Sequence, residues 1–215
     1  EKLDLLQLAN ENTKVNWQGQ LTQSIAGKEV YPRPVQDKLP LWVATGGHVE
    51  STVKIARAGL PIVYAIIGGN PRYFKKLIQA YREIGRDAGH ADKDLKVGAH
   101  SWGWIAEDGE QAVKDYFHPT KQVVDAISKD RPHWQELTYE QYLEQVGPNG
   151  AMFVGNPDQV AEKLICMIED LDLDRFMLHL PLGSMPHDQV LRAIELFGTQ
   201  VAPKVRAYFA MKERI

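Results

Sequence analysis

Short apolar runs alternate with amphipathic stretches along most of the chain. From about Leu39 onward, an apolar run leads into a glycine-rich turn, and a stretch with helical spacing of apolar residues follows. Strands that are almost continuously apolar, each followed by a helix, are typical of a parallel sheet covered by helices. The pattern predicts four such units, with strands at residues 41–44, 61–67, 95–105 and 175–182, and a shorter apolar run at 153–155.

Capping residues mark where several predicted helices begin and end. Gly59 follows the helical stretch 50–58, at a position where glycine favours the end of a helix. Asn70-Pro71 and Asn156-Pro157 each place a polar N-cap directly before a proline at the first helical position. Residues 1–11 also have the apolar spacing of a helix.

Residues 129–151 depart from this alternation. The segment is polar and rich in aromatic residues, and it contains Pro132, His133 and Trp134. We interpret it as an irregular insertion in a single domain spanning residues 1–215, which serves either as a lid or as part of an oligomer interface.

Composition places the chain among ordinary globular proteins. Hydrophobic residues make up 44% and charged residues 25% of its 215 residues. No apolar run approaches the roughly 18 residues of a membrane-spanning helix, and residues 1–12 do not resemble a secretory signal. The single cysteine, Cys166, fits a reducing cytoplasm, and we expect it to be buried in a helix.

The charge pattern argues against nucleic acid as the main partner. The net charge is −3, and the 25 basic residues are scattered along the chain. A phosphate backbone requires concentrated Lys and Arg side chains. We therefore expect a protein that binds neither nucleic acid nor a membrane.

Two glycine-rich turns form the candidate cofactor site. Thr45-Gly46-Gly47 follows the first strand and precedes the helix that carries Ser51. Glycines let the backbone approach a phosphate closely, and the amides of a helix start suit an anion. Ile67-Gly68-Gly69 follows the next strand at the equivalent end, where a flat ring or a phosphate can lie against it. A purely steric reason for the glycines remains open at both turns.

His100 is the candidate catalytic residue. It lies with Ser101 towards the C-terminal end of the third predicted strand, where an imidazole can bind a cofactor or substrate or act as acid or base. A structural histidine is the alternative. Trp102 and Trp104 alternate along the same strand, which favours core packing. His179 lies on the last strand without a metal-binding motif, and we predict no metal site.

Several segments, taken in order, resemble a known family. They are Leu39-Pro40-Leu41-Trp42-Val43-Ala44-Thr45-Gly46-Gly47, Ala65-Ile66-Ile67-Gly68-Gly69-Asn70-Pro71, Val97-Gly98-Ala99-His100-Ser101, Val154-Gly155-Asn156-Pro157, and Leu191-Arg192-Ala193-Ile194-Glu195-Leu196-Phe197-Gly198. The series is similar to the second half of the bacterial luciferase-like flavin-dependent monooxygenases. It extends over almost the whole chain, which makes the order more specific than any single motif.

This resemblance implies an α/β fold of the (β/α)8 TIM-barrel family, of which the chain covers about the last four βα units plus the insertion. Residues 1–11 correspond to the helix after the fourth barrel strand. The chain begins at Glu1 without an initiator methionine, and we expect that a preceding half has been removed or left out. A doubly wound sheet is the alternative, although its usual G-x-G-x-x-G turn is absent.

The resemblance also implies a function. The family binds reduced FMN at the C-terminal end of the barrel, so we predict a flavin-dependent monooxygenase that uses FMN and oxygen on a small-molecule substrate. Related barrels use a deazaflavin instead. The family's phosphate contacts come partly from the loop after strand five, here Thr45 to Gly47 with Ser51, and partly from a strand-four loop that this sequence lacks.

Two alternative hypotheses about the function remain. The chain is alternatively a non-catalytic fragment or partner subunit, or a different phosphate-binding barrel enzyme. Four βα units leave two strand edges that favour pairing with another chain. We therefore expect a second copy or a complementing N-terminal half as a partner, and a flavin reductase as a further one.

Overall fold

A computed structural model of the chain describes residues 1–131 and 134–212, which form two compact units. The first unit comprises residues 1–41 and the second residues 42–215. A single domain over the whole chain stays a prediction. Pro132 and His133 of the predicted insertion lie outside the described residues.

The first unit consists of a helix and an antiparallel hairpin. Helix α1 (Lys2–Glu11) confirms the helical pattern of the first residues, and strand β1 (Lys14–Trp17) pairs with β2 (Ile25–Glu29). The Glu1 carboxylate accepts hydrogen bonds from the backbone N–H groups of Leu21 and Thr22. The sequence did not predict this hairpin, because its strands are short and largely polar.

The described part of the second unit contains five parallel strands and the helices that follow them. The strands are β3 (Val43–Thr45), β4 (Ile62–Ala65), β5 (Val97–Ile105), β6 (Phe153–Gly155) and β7 (Arg175–His179). The helices are α2 (Val49–Arg57), α3 (Lys75–Asp87), α4 (Gly109–Asp130), α5 (Tyr139–Val146), α6 (Pro157–Leu171), α7 (His187–Leu196) and α8 (Ala202–Lys212). A turn of wider π-helix at Phe197–Val201 joins the last two helices.

The strand order confirms the predicted parallel α/β sheet. Strand β4 lies between β3 and β5, and β7 pairs with residues 98–102 of β5. The four longer apolar runs of the sequence supply β3, β4, β5 and β7. The short strand β6 is additional and pairs only with residues 103–105, the C-terminal end of β5.

The parallel register divides the side chains of the sheet between two faces. Partners in register point to the same side, and successive residues point to opposite sides. One set packs towards the helices, and we call it the helix face: Val43, Thr45, Ile62, Tyr64, Val97, Ala99, Ser101, Phe176 and Leu178. The other set we call the histidine face: Ala44, Val63, Ala65, Gly98, His100, Trp102, Arg175, Met177 and His179.

Contacts of Tyr64 show why the helix face is buried. The Tyr64 ring is fully buried against Phe74, with ring centroids 5.6 Å apart, and its hydroxyl lies 3.2 Å from Thr52 Oγ1 on α2. Burial raises the pKa of Tyr64 to about 12, so the hydroxyl stays protonated. This face forms the core between the sheet and the helices.

The burial pattern of α6 corrects the expectation for Cys166. The helix begins at Asn156-Pro157 with a capping box, as its sequence predicts. Its buried residues follow helical spacing: Val160, Ala161, Leu164, Met167 and Leu171. Cys166 lies outside that stripe and is exposed, so its expected burial is wrong.

The segment 129–151 is more regular than its sequence indicates. Helix α4 continues to Asp130, and α5 begins after Thr138, which forms a capping box with Gln141. Lys163 fixes the other end of α5, because its Nζ donates to the carbonyl oxygens of Val146 at 2.9 Å and Gly147 at 2.6 Å. The polar composition of this segment gave no indication of the short, capped helix α5.

Candidate functional site

The first glycine turn leads from β3 into α2. Thr45 Oγ1 accepts a hydrogen bond from the Gly47 N–H at 3.3 Å. Gly47 has a φ of +99°, and a methyl group there would lie 2.9 Å from a ring carbon of Phe74, so glycine is required. A methyl group at Gly46 would instead contact no other atom within 4 Å. The backbone at Gly46 therefore faces open space.

The N-terminus of α2 adds free backbone donors beside this turn. Its N-cap, His48, makes no side-chain capping hydrogen bond, and Ser51 lies in the first turn of the helix. The first N–H groups of a helix have no intrahelical partner and favour anions. Glu50 lies in the same turn and opposes an anion there. The Ser51 side chain is half-buried.

The second glycine turn follows β4, the neighbour of β3. Ile67 is half-buried against the core, whereas Gly68 and Gly69 are exposed. A methyl group at either glycine would contact no other atom within 4 Å, and Gly69 has a φ of +74°. Ser101 holds the end of this strand from the helix face, because its buried hydroxyl donates to the Ile66 carbonyl oxygen at 2.9 Å.

The two glycine turns lie at one edge of the sheet. They follow paired parallel strands, whose C-terminal ends meet at the same edge. Open backbone at Gly46, Gly68 and Gly69 fits the close approach of a phosphate or a flat ring. The residues present are therefore compatible with a flavin nucleotide.

His100 and His179 lie close together on the histidine face. In the register of β5 and β7, His100 pairs with Met177, and His179 pairs with Trp102. The two imidazole ring centroids are 5.5 Å apart, and the rings are tilted by 45°. Burial lowers the pKa of His100, and the neighbouring His179 lowers it further.

Two buried tryptophans, Trp102 and Trp104, lie on the same strand as His100. Trp102 is buried, and its ring centroid lies 6.3 Å from that of Trp134, which belongs to the segment 129–151. Trp104 is buried and stacks on Tyr116, with centroids 5.9 Å apart. Core packing of Trp102 and Trp104 is thus confirmed. Trp134 brings the predicted insertion against the strand that carries His100, while a lid or interface role stays a prediction.

The structure places His100 next to His179, although the two residues are far apart in the sequence. The sequence placed His179 on the last strand but gave no signal that it meets His100, because that contact depends on the pairing of β5 with β7. Within residues 1–131 and 134–212, no group of three or more His, Cys, Asp and Glu side chains is placed to hold a metal ion. No described helix is both long and apolar enough to cross a membrane.

Comparison with protein families gives one match that covers most of the chain. Residues 1–173 match the model of the family described as luciferase-like monooxygenase. Among curated proteins, no significant match is found.

Solved structures with a similar fold come from enzymes with different cofactors. Monooxygenase RslO1 from Streptomyces bottropensis is 19% identical, with a TM-score of 0.75 over 94% of this chain. An F420-dependent secondary alcohol dehydrogenase in complex with an F420-acetone adduct is 14% identical, with a TM-score of 0.68 over 94% of this chain. The oxygenating constituent of 3,6-diketocamphane monooxygenase from the CAM plasmid of Pseudomonas putida, in complex with FMN, is 16% identical, with a TM-score of 0.60 over 94% of this chain.

This chain spans only part of the length of those proteins. The match covers 59% of the first, 59% of the second and 62% of the third. At these identities the likeness establishes the fold of the matched part alone.

Proposed function

The chain belongs to the luciferase-like monooxygenase family, and on that premise we propose that it acts as part of a flavin-dependent oxidoreductase that uses reduced FMN and oxygen. The open backbone of the two glycine turns, at the shared edge of β3 and β4, is the observation that carries the proposal. The substrate in this proposal is a small molecule held over the sheet edge beside His100. FMN supplies the electron transfer to oxygen when it is bound.

Each predicted site residue has a separate role in this proposal. The Gly46 amide, with the Ser51 hydroxyl, binds the phosphate, while the Gly47 N–H holds the turn through its hydrogen bond to Thr45. Ile67 presents an apolar surface to the ring, and Gly68 and Gly69 leave room for it. His100 hydrogen-bonds the substrate, while Trp102 and Trp134 exclude water from that side.

A deazaflavin is the second candidate cofactor. The structural likeness to an F420-dependent secondary alcohol dehydrogenase favours it, since that protein has the same fold over 94% of this chain. Both cofactors carry a flat tricyclic ring and a phosphate, so the same two turns suit either. A binding experiment with each cofactor distinguishes FMN from F420.

The test is titration of the purified chain with FMN and, separately, with F420, followed by absorbance and fluorescence. Gly46→Ala and Gly68→Ala place a methyl group where the proposed ligand lies, and we expect at least about tenfold weaker binding, equivalent to about 1.4 kcal/mol. Gly198→Ala is the matched control, because a methyl group there also contacts nothing within 4 Å and the residue lies in the π-helical turn. Failure of the wild-type chain to take up either cofactor contradicts the proposal, as does equal binding by all three variants.

We also propose that another polypeptide pairs with the open edges of the sheet. Among the described strands, β3 pairs only with β4, and β7 pairs only with β5. Unpaired strand edges favour association. A second copy of the chain or a complementary barrel half fits these edges, and a flavin reductase would supply reduced FMN.

Light scattering after gel filtration tests whether the chain pairs with a second copy of itself, and a monomeric mass at micromolar concentration contradicts that pairing. A complex that forms but takes up no cofactor would favour the alternative hypothesis, in which the chain is a non-catalytic partner subunit.

A further inference from the structure

The histidine pair is fixed by backbone pairing and not by flexible loops. Strands β5 and β7 share five consecutive register pairs, from Gly98 with Arg175 to Trp102 with His179. His100 and His179 are therefore diagonal neighbours on one face, a separation that side chains of this size can bridge. Their ring centroids are 5.5 Å apart, and no direct hydrogen bond joins the two rings among the described residues, so one water would carry a proton between them.

The two rings differ in their access to solvent. His100 is half-buried beside Trp102, whereas His179 is exposed. The inner ring suits contact with a bound molecule. The outer ring suits proton exchange with water.

The surroundings of the pair disfavour a positive charge on both rings at once. None of the histidine-face positions is acidic, so no carboxylate on that face stabilises a second positive charge. The one other cation on the face, Arg175, lies level with Gly98 at the far end of β7, with its guanidinium 4.6 Å from the centre of the Trp42 ring. Burial, and then the neighbouring His179, lower the pKa of His100. A neutral imidazole has one N–H donor and one acceptor nitrogen, so one ring can donate while the other accepts.

We propose that His100 and His179 form a proton relay for a hydroxyl or carbonyl group of the substrate, in which His100 contacts the oxygen and His179 exchanges the proton with solvent. The proposal rests on the oxidoreductase function proposed above and adds a second residue to it. When a hydroxyl is deprotonated, its O–H bond breaks, an N–H bond forms on neutral His100, and the electron pair stays on the oxygen. His100 then passes its proton to His179, which releases it to water.

The first experiment uses the cofactor-free chain, so its outcome does not depend on flavin binding. Histidine ring signals are followed by NMR across pH in protein labelled with nitrogen-15 histidine. We expect His100 to titrate below the ordinary imidazole range and its midpoint to rise in His179→Gln, because the neighbouring positive charge is removed. His187→Gln, which changes an exposed histidine at the start of α7, leaves that midpoint unchanged. An identical His100 midpoint in wild type and His179→Gln overturns the proposal.

The second experiment separates a relay from a purely structural role. In the cofactor-loaded enzyme, His179→Ala is expected to lower kcat by about tenfold or more, within the usual range of general acid–base contributions. Added free imidazole should restore a large part of kcat in His179→Ala and have no effect on His187→Ala. Unchanged kcat in His179→Ala, or a loss that imidazole does not restore, overturns the relay. A chain that binds no cofactor fails the proposed function, while the NMR titration still decides whether the pair is coupled.

Discussion

The helix face and the histidine face of the sheet are built from alternate residues of the same strands, yet they differ in both burial and chemistry. On the helix face, Ile62, Tyr64 and Ala99 are completely buried. On the histidine face, Val63 and Trp102 are buried too, whereas Met177 is 37% exposed, and Arg175 and His179 are exposed as well. Backbone pairing is the same for both, so the difference comes from the side chains and from the helices that cover only one of the two faces.

This difference suggests that the two faces of the sheet have different roles, one in stability and one in function. Barrel interiors are usually filled by bulky branched apolar residues. Here the histidine face instead carries two imidazoles and a guanidinium, which contribute little to a core and cost desolvation when buried. We therefore assign stability mainly to the helix face, and the proposed chemistry to the histidine face and the glycine turns beside it.

The largest expected effect comes from removing a helix-face anchor. Tyr64→Ala deletes a fully buried ring packed on Phe74, and we expect it to lower the free energy of unfolding by about 3–5 kcal/mol. Met177→Ala removes a partly exposed side chain from the other face and should cost less than about 1 kcal/mol. Urea denaturation of both variants measures the contrast.

Tyr64→Phe is the control for that comparison. It keeps the ring and removes only the hydroxyl that lies 3.2 Å from Thr52 Oγ1, so it should cost about 0.5–1.5 kcal/mol. Equal losses in Tyr64→Ala and Met177→Ala would refute the assignment of stability to one face.

Local signals in the sequence were sufficient for the strands and for most helix ends. Apolar runs predicted the parallel sheet, and Asn156-Pro157 predicted the start of α6, because both depend on neighbouring residues. The open backbone at Gly46 and Gly68 likewise lies where the turns were expected. The meeting of His100 with His179 was not predictable, since it requires knowing which strands pair and in which register. Cys166 lies outside the buried stripe because of the way α6 is rotated about its axis. The residue type alone does not indicate which side of the helix faces the core.

A hydrogen bond on the helix face gives an intermediate effect. The Ser101 hydroxyl donates to the Ile66 carbonyl oxygen at 2.9 Å, and Ser101 is completely buried. Ser101→Ala leaves that carbonyl without this partner, and we expect a loss of about 1–3 kcal/mol in the free energy of unfolding. Thr199→Ala is the matched control, because it removes a hydroxyl that donates to the Glu195 carbonyl oxygen at 2.7 Å in an exposed position. The control should change stability by less than about 0.5 kcal/mol, and an equal loss at both sites would contradict the role of burial.

The smallest expected effect is the dependence of stability on the protonation of His100. Burial, and then the charge of His179, lower the pKa of His100 in the fold below its unfolded value of about 6.5. The unfolded chain therefore binds a proton at pH values where the folded chain does not, and stability falls as pH decreases through that window. His100→Gln removes this titration and should flatten the fall in melting temperature between about pH 7 and pH 5, whereas His187→Gln should keep the wild-type slope. A His100→Gln slope equal to that of wild type would mean that the histidine face does not penalise positive charge, and the contrast between the two faces would then be one of burial alone.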